Sequence, residues 1–242
     1  MANSYFRFKQ FLINQDRCAM KVTTDACLFG AIMAEEVSSR NDLKKALDIG
    51  TGTGLLSLML LQGSPQLKIT ALEIDPAAAE QALENTAASP WKEQVEIKNA
   101  DLLQFPFSQE YDLVFSNPPF YEDDLVSPDE KINLARHNSD LPLQSLFQKV
   151  RLLLKDEGEG WFLLPYKRKA EIRDLLSDND LQILKIILVR STEKHDYFRI
   201  ILNIRKSASI IETSLEECTI YQSDGKYTAS VETWLAPYYL RL

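Results

Sequence analysis

The sequence predicts an α/β fold, a doubly wound sheet of seven strands whose last strand enters antiparallel. Three observations carry this. From Ala46 onward, short β-rich runs alternate with longer helical runs, and such alternation builds a parallel sheet with helices on both faces. The first run passes straight into a glycine-punctuated loop, Gly50-Thr51-Gly52-Thr53-Gly54, and then an apolar helical stretch. The last two β-rich runs are separated only by residues 191–196, which is too short for a helical crossover and forces an antiparallel pair.

In order along the chain, strands are expected near 46–49, 69–73, 95–98, 112–116, 160–164, 183–189 and 198–204. Helices are expected near 25–35, 55–61, 76–87, 143–154 and 168–176. Pro76 sits in the first helical turn, where its missing N–H costs nothing, and Asp75 before it is a helix cap. Residues 207–242 return to turn residues, Ser223-Asp224-Gly225, and then an apolar helix over 229–240. The 242 residues suit a single domain, with 1–24 as an N-terminal arm and 207–242 as a C-terminal appendage.

Composition narrows the function classes. Hydrophobic residues make up 45% and charged residues 26%, as in ordinary globular proteins. The longest apolar runs, 55–61 and 186–189, fall far short of a membrane span of roughly 20 residues. The first 17 residues lack a signal peptide's apolar core, so a cytoplasmic, membrane-free protein is expected, and a monomer. Cys18, Cys27 and Cys218 are far apart, and His137 and His195 are the only histidines. Neither a disulfide framework nor a metal site is expected from that inventory; reduced packing cysteines are.

A net charge of −8 argues against a general grip on nucleic acid. Local clusters run against it. Arg7, Lys9, Arg17 and Lys21 face a single Asp16 before Thr24, interleaved with Tyr5, Phe6, Phe8 and Phe11. Bases stack on aromatic residues set among cations, so Arg7, Lys9 and Arg17 are candidate RNA contacts; the aromatics could equally pin the arm to the core with the charges outward. A second cluster comprises Lys185, Arg190, Lys194, Arg199, Arg205 and Lys206.

The glycine loop carries the first chemical signal. Its spacing is G-x-G-x-G after Ala46-Leu47-Asp48-Ile49, not the G-x-G-x-x-G of dinucleotide sites. Glycines let the backbone turn sharply and approach a ligand. The shorter loop with Asp48 before it suits a ligand without a pyrophosphate, such as a sulfonium-bearing amino acid. Glu73 ends the next strand, where a carboxylate takes two ribose hydroxyls, with Ile74 beside it. In Asn99-Ala100-Asp101-Leu102, Asp101 is placed to accept from an adenine amine and the Leu102 N–H to meet the ring. Candidate cofactor contacts here are Asp48, Gly50, Gly52, Gly54, Glu73, Ile74, Asp101 and Leu102.

Ser116-Asn117-Pro118-Pro119-Phe120 follows the apolar run Asp112-Leu113-Val114-Phe115. The Asn117 side-chain carbonyl and the Pro118 backbone carbonyl are two acceptors for the two hydrogens of a conjugated amino group. Such a grip draws the nitrogen lone pair out of conjugation. Proline stiffness pre-organises the acceptors, and Phe120 offers a flat face for the target ring. Asn117, Pro118, Pro119 and Phe120 are therefore the candidate catalytic set, with Asn117 also facing the cofactor.

Together these motifs resemble the amino-methyltransferases marked by Asn-Pro-Pro-aromatic. The segments Phe6-Arg7-Phe8-Lys9-Gln10-Phe11, residues 16–25 and Ser89-Pro90-Trp91 closely resemble the bacterial family that methylates the exocyclic N6 amine of the adenine 3′ of the anticodon in valine tRNA. The resemblance spans nearly the whole chain. It implies a Rossmann-like seven-stranded methyltransferase fold, S-adenosyl-L-methionine as cofactor and tRNA as partner. It also implies that the stretch from Lys21 to Asp25, with Lys21 and Thr24 as contacts, packs over the cofactor's methionine end. Phe120 stands where that family usually has tyrosine and where ribosomal guanine-N2 enzymes often have phenylalanine, so guanine stays open as an alternative. Release-factor methyltransferases are expected to carry an N-terminal helical domain, and the stretch of about 45 residues before the first strand disfavours that reading. A non-catalytic RNA-binding scaffold is disfavoured by the intact Asp48, Glu73 and Asn117.

Overall fold

A short antiparallel hairpin, β1 (Tyr5–Arg7) and β2 (Leu12–Asn14), precedes helix α1 (Thr24–Ser38). The structure is a computed structural model and describes residues 3–119, 141–207 and 212–242. Thr23 starts α1 by accepting from the Ala26 N–H at 3.4 Å. Residues 26–34 of α1 are buried without a break. That pattern fits a helix enclosed on all sides, and its neighbours are α2 (Leu55–Gly63), β7 (Leu154–Pro165) and α6 (Ala229–Leu235).

The remaining elements are β3 (Lys45–Ile49), β4 (Lys68–Glu73), α3 (Pro76–Ala87), β5 (Val95–Asn99), β6 (Tyr111–Ser116), α4 (Leu143–Leu153), α5 (Lys169–Asp178), β8 (Leu181–Arg190), β9 (Tyr197–Lys206) and β10 (Ser214–Thr219). A one-turn helix, Tyr166–Arg168, joins β7 to α5. Asp75 caps α3 by accepting from the Ala78 N–H at 2.8 Å, with Pro76 in the first turn, as its sequence predicts.

The sheet runs β10-β8-β9-β7-β6-β3-β4-β5. All its neighbours are parallel except β9, which is antiparallel to both β7 and β8. The Rossmann-like pattern with one antiparallel strand therefore stands. Seven strands was one too few: β10 adds an eighth, parallel to β8. Its sequence, Ser214-Leu215-Glu216-Glu217-Cys218-Thr219, is mostly exposed, and Cys218 is its one buried residue. An edge strand with so little apolar content carries almost no periodic signal. The closing helix is also shorter than 229–240, because the chain turns at Ala236-Pro237. Leu154, expected at a helix end, is already extended and starts β7.

Two apolar cores flank the sheet. One gathers α1, α2, the hairpin aromatics and the closing segment; the other gathers α4 and α5 against β6 and β7. The chain runs β3, β4, β5 outward, then returns across β3 to place β6 on its other side. The order reverses between β3 and β6, and the crevice beyond the carboxyl ends of those strands is where such sheets bind ligands.

Candidate active site

The carboxyl ends of β3, β4 and β6 lie level. Ile49 pairs with Leu72 and with Ser116, and Glu73 pairs with Asn99 at the end of β5. The Ser116 hydroxyl donates to the Ile49 carbonyl at 2.7 Å, pinning β6 to β3 immediately before Asn117. At the same edge, the Gly50 and Thr51 N–H groups both donate to the Leu72 carbonyl at 2.9 Å. The loop after β3 is thereby folded over β4.

Gly50, Gly52 and Gly54 have φ of 69°, 55° and 82°, conformations that β-carbon-bearing residues adopt only at a cost. A Cβ on Gly50 or Gly52 would meet nothing within 4 Å. The loop therefore presents bare backbone to open space, a cradle of the kind a ligand approaches closely.

Beneath the loop Asp48 is fully buried. Its Oδ2 accepts from the Thr51 and Ser57 hydroxyls, each at 2.7 Å. Its Oδ1 has no partner among the described residues. Burial pushes its carboxyl up to about 6, against the pull of those two hydroxyls. Asp48 acts from below as a brace of the loop.

Glu73 is the carboxylate at the surface of the crevice. Its Oε2 accepts from the Gly52 N–H at 2.8 Å and its Oε1 from the Asp75 N–H at 3.0 Å. Burial raises its carboxyl above the ordinary range, opposed by those backbone donors. Each carboxylate oxygen keeps acceptor capacity for one further donor. Ile74 next to it is 48% exposed and offers an apolar lip. Asn99 braces this turn, donating to the Glu73 carbonyl at 2.8 Å and the Ile74 carbonyl at 3.0 Å. Asp101 accepts from the Leu103 N–H and the Gln104 side chain, both at 2.8 Å, and Leu102 packs into the core.

On the other side stands Asn117, half-buried, followed by buried Pro118 and half-buried Pro119. The Asn117 side-chain amide N–H points to the Met20 sulfur at 3.9 Å, which leaves Oδ1 free to accept. Phe120, the fourth candidate of this set, lies outside the described residues, as does His137.

The segment before α1 reaches the site through Met20. Lys21 turns its ammonium to the Asn3 carbonyl at 3.4 Å, and the Thr24 hydroxyl meets the Tyr221 hydroxyl at 3.5 Å. Sequence reasoning passed over Met20 because a lone methionine carries no pattern. It also passed over the residues that hold the segment in place. Gln81 and Asn85, both on α3 and both buried, bond its backbone: Gln81 accepts from the Arg17 N–H at 2.8 Å, and Asn85 bonds Asn14. Two buried amides at i, i+4 on one helix face were the available signal.

Three of the four hairpin aromatics turn inward, while Tyr5 is 51% exposed. Phe8 and Phe11 are buried and stack at 4.6 Å, with Phe6 and Tyr239 against Phe8. Phe8 and Phe11 do not present faces to bases; the cations remain outside. Arg7 is exposed, Lys9 reaches the Ala236 carbonyl, and Arg17 pairs with Glu84 and Glu80 on α3. Cys18 is buried beside them, its thiol pushed up to about 11 chiefly by burial.

The second basic cluster divides. Arg205 and Lys206 lie at the amino edge, paired with Glu157, Glu159 and Asp156, while Lys185 pairs with Glu36 and Glu216. Arg190 and Arg199 lie at the carboxyl edge, where β8 ends and β9 begins. Among the described residues no group of three or more His, Cys, Asp or Glu is arranged to hold a metal, and no helix is long and apolar enough to cross a membrane.

A bare glycine cradle, a carboxylate with free acceptors and an apolar lip fit the amino-acid part, ribose and adenine of S-adenosyl-L-methionine. Comparison with known proteins agrees. The methyltransferase small domain family model matches residues 29–178. A protein of Bacteroides thetaiotaomicron named tRNA1(Val) (adenine(37)-N6)-methyltransferase is 44% identical over 182 residues, 75% of each chain. One of the same name from Cytophaga hutchinsonii is 34% identical over the full length of both. Among solved structures, a predicted O-methyltransferase from Agrobacterium tumefaciens superposes with a TM-score of 0.63 at 16% identity, covering 88% of this chain and 96% of that one. The chain is a member of the tRNA1(Val) (adenine(37)-N6)-methyltransferase family, enzymes of the methyltransferase small domain group that use S-adenosyl-L-methionine.

Proposed function

We propose that this enzyme methylates the N6 amine of the adenine 3′ of the anticodon in valine tRNA. The observation that carries the reading is Asn117 at the carboxyl end of β6, pinned level with the glycine loop through Ser116 and Ile49. When bound, S-adenosyl-L-methionine supplies an electrophilic methyl on a sulfonium. Glu73 would take the two ribose hydroxyls with the acceptor capacity left on its two oxygens. Ile74, Asp101 and Leu102 would receive the adenine, with Gly50, Gly52 and Gly54 as the floor and Asp48 holding them from beneath.

Asn117 Oδ1 and the Pro118 carbonyl would each accept one N–H of the target amine. Held this way, the nitrogen turns its lone pair out of the ring's π-system, and the fixed acceptors do not reorganise as charge develops. Met20 occupies the donor side of the Asn117 amide and so favours the orientation with the oxygen toward substrate. Phe120 is assigned as the stacking face for the base. Lys21 and Thr24 belong to the segment over the methionine end, and the exposed side of Arg7, Lys9 and Arg17 supplies positive charge on the hairpin side. The protein works as a soluble cytoplasmic monomer, one domain from 1 to 242.

The test is to incubate the enzyme with undermodified tRNA and methyl-labelled cofactor and identify the nucleoside by mass spectrometry. N6-methyladenosine next to the valine anticodon is the expected product. N2-methylguanosine would move the substrate to the guanine alternative, and cofactor binding without transfer to any RNA would leave a binding scaffold.

A further inference from the structure

β7 carries the site's edge outward. Phe162 pairs with Ser116, and the strand runs on through Leu163, Leu164 and Pro165 to Tyr166. At a strand rise of about 3.3 Å per residue, Tyr166 lies roughly 13 Å beyond the level of Ser116, on the adjoining strand. Across from it β9 begins at Tyr197 and β8 ends at Arg190.

These ends build a connected aromatic and cationic surface. The Tyr166 and Tyr197 rings are 5.4 Å apart, tilted by 49°. The Lys169 ammonium lies 4.6 Å from the Tyr166 ring centre and donates to its hydroxyl at 2.8 Å. Arg190 lies 5.4 Å from the Tyr197 ring centre, and Phe198 is 37% exposed under Arg199. Lys167 is exposed between Tyr166 and Arg168, and Lys194 is exposed in the loop from β8 to β9. The arginines here have carboxylate partners: Arg168 with Glu171, Arg190 with Glu217, Arg199 with Asp25. Lys169 and Lys194 have none among the described residues. Tyr166 and Tyr197 are half-buried, and half-open rings edged by lysines are what single-stranded nucleic acid is held by: bases stack, and ammonium groups meet phosphates.

We propose that the Tyr166–Tyr197 pair, with Lys167, Lys169 and Lys194, is the surface that holds the tRNA nucleotides flanking the reacting adenine. The inference rests on the proposed tRNA substrate and adds where that RNA lies: along the carboxyl edge of β7 and β9. An acidic protein needs its positive charge concentrated beside the reacting group, and the repulsion elsewhere favours that one docking mode.

The experiment titrates tRNA against wild type, Lys167→Gln/Lys169→Gln, Lys194→Gln and Tyr166→Ala at several salt concentrations. Calorimetric binding of S-adenosyl-L-methionine serves as the fold control. Lys44→Gln/Lys45→Gln at the amino edge controls for a general loss of charge. For every phosphate that a lysine variant no longer neutralises, the slope of log affinity against log salt should flatten by about 0.7–0.9. Tyr166→Ala should weaken binding roughly tenfold or more, while the amino-edge variant matches wild type. If wild type methylates tRNA but the three carboxyl-edge variants bind it with unchanged affinity and slope, this surface is wrong and the substrate stands. A wild type that neither binds nor methylates tRNA overturns the substrate, and the surface with it.

Discussion

The Asn85 carboxamide grips the peptide of Asn14 from both ends, accepting from its N–H and donating to its carbonyl, each at 2.9 Å. The same amide nitrogen donates to the Thr53 carbonyl at 2.9 Å. One side chain on α3 thus ties the hairpin to the glycine loop. Asn85→Leu should leave three backbone groups without partners, at about 1–3 kcal/mol for each that stays dry. The expected result is a lower urea midpoint and weaker cofactor binding together. Unchanged values in both would show that the clamp is dispensable.

Asn117→Ala should spare cofactor binding and lower turnover about 10²–10³-fold, the usual effect of removing one pre-organised polar group from a transition state. Calorimetry and single-turnover methyl transfer separate the two. Wild-type turnover in this variant would remove Asn117 from the chemistry.

Glu73→Ala should weaken cofactor binding by about 1.5–3 kcal/mol, the range for hydrogen bonds to a charged group. Glu73→Gln keeps one strong acceptor and should fall between. In wild type, affinity should drop on acidification, beginning above the ordinary glutamate range because burial raises this carboxyl. Protonation replaces an acceptor with a donor facing the Gly52 or Asp75 N–H. A binding constant flat with pH, or equal in all three proteins, would contradict the ribose role.

Asp48 gives a stability test with a definite sign. Its folded carboxyl is raised to about 6 from an ordinary 3.8, so the folded state holds this proton more tightly than the unfolded one. The group's contribution is greatest below about pH 4 and is lost as pH rises through about 6. Asp48→Asn stays neutral throughout. Wild type should therefore lose urea resistance relative to this variant between pH 4 and pH 7; a difference constant across that range would show the shift to be absent.

The positions of Asp48, Glu73 and Asn117 at the carboxyl edge were legible because each stands at or beside the end of an apolar strand, where sequence order and strand polarity together fix the position. The same rule recovered the antiparallel β9 from a connection too short for a helix. It had no purchase on β10, whose residues are mostly solvent-facing. It left the hairpin aromatics undecided: charge interleaved with rings looks the same whether a ring faces water, as Tyr5 does, or packs on Tyr239, as Phe6 and Phe8 do. Gln81, Asn85 and Met20 work across 60 residues or more of chain, and one sequence holds no local trace of a partner so distant. Tyr166 and Tyr197 likewise meet only through the sheet.

The bridge between Phe8 and Tyr239 has a temporal consequence. The Lys9 N–H bonds the Tyr238 carbonyl at 2.8 Å, and Phe6 packs on the Tyr239 ring. On the ribosome, Phe6 and Phe8 emerge long before Tyr239, against which both pack. At elongation rates of about 5–20 residues per second the delay is roughly 10–50 s. Throughout it Phe6 and Phe8 lack the closing-segment side of their packing, while Phe11 already has Trp91 and the segment carrying Met20 already has Gln81 and Asn85 on α3 to dock on. The hairpin is thus docked on α3 before it is closed over by the last residues, and a nascent chain halted before Tyr239 should display Phe6 and Phe8 to chaperones while its central sheet is already formed.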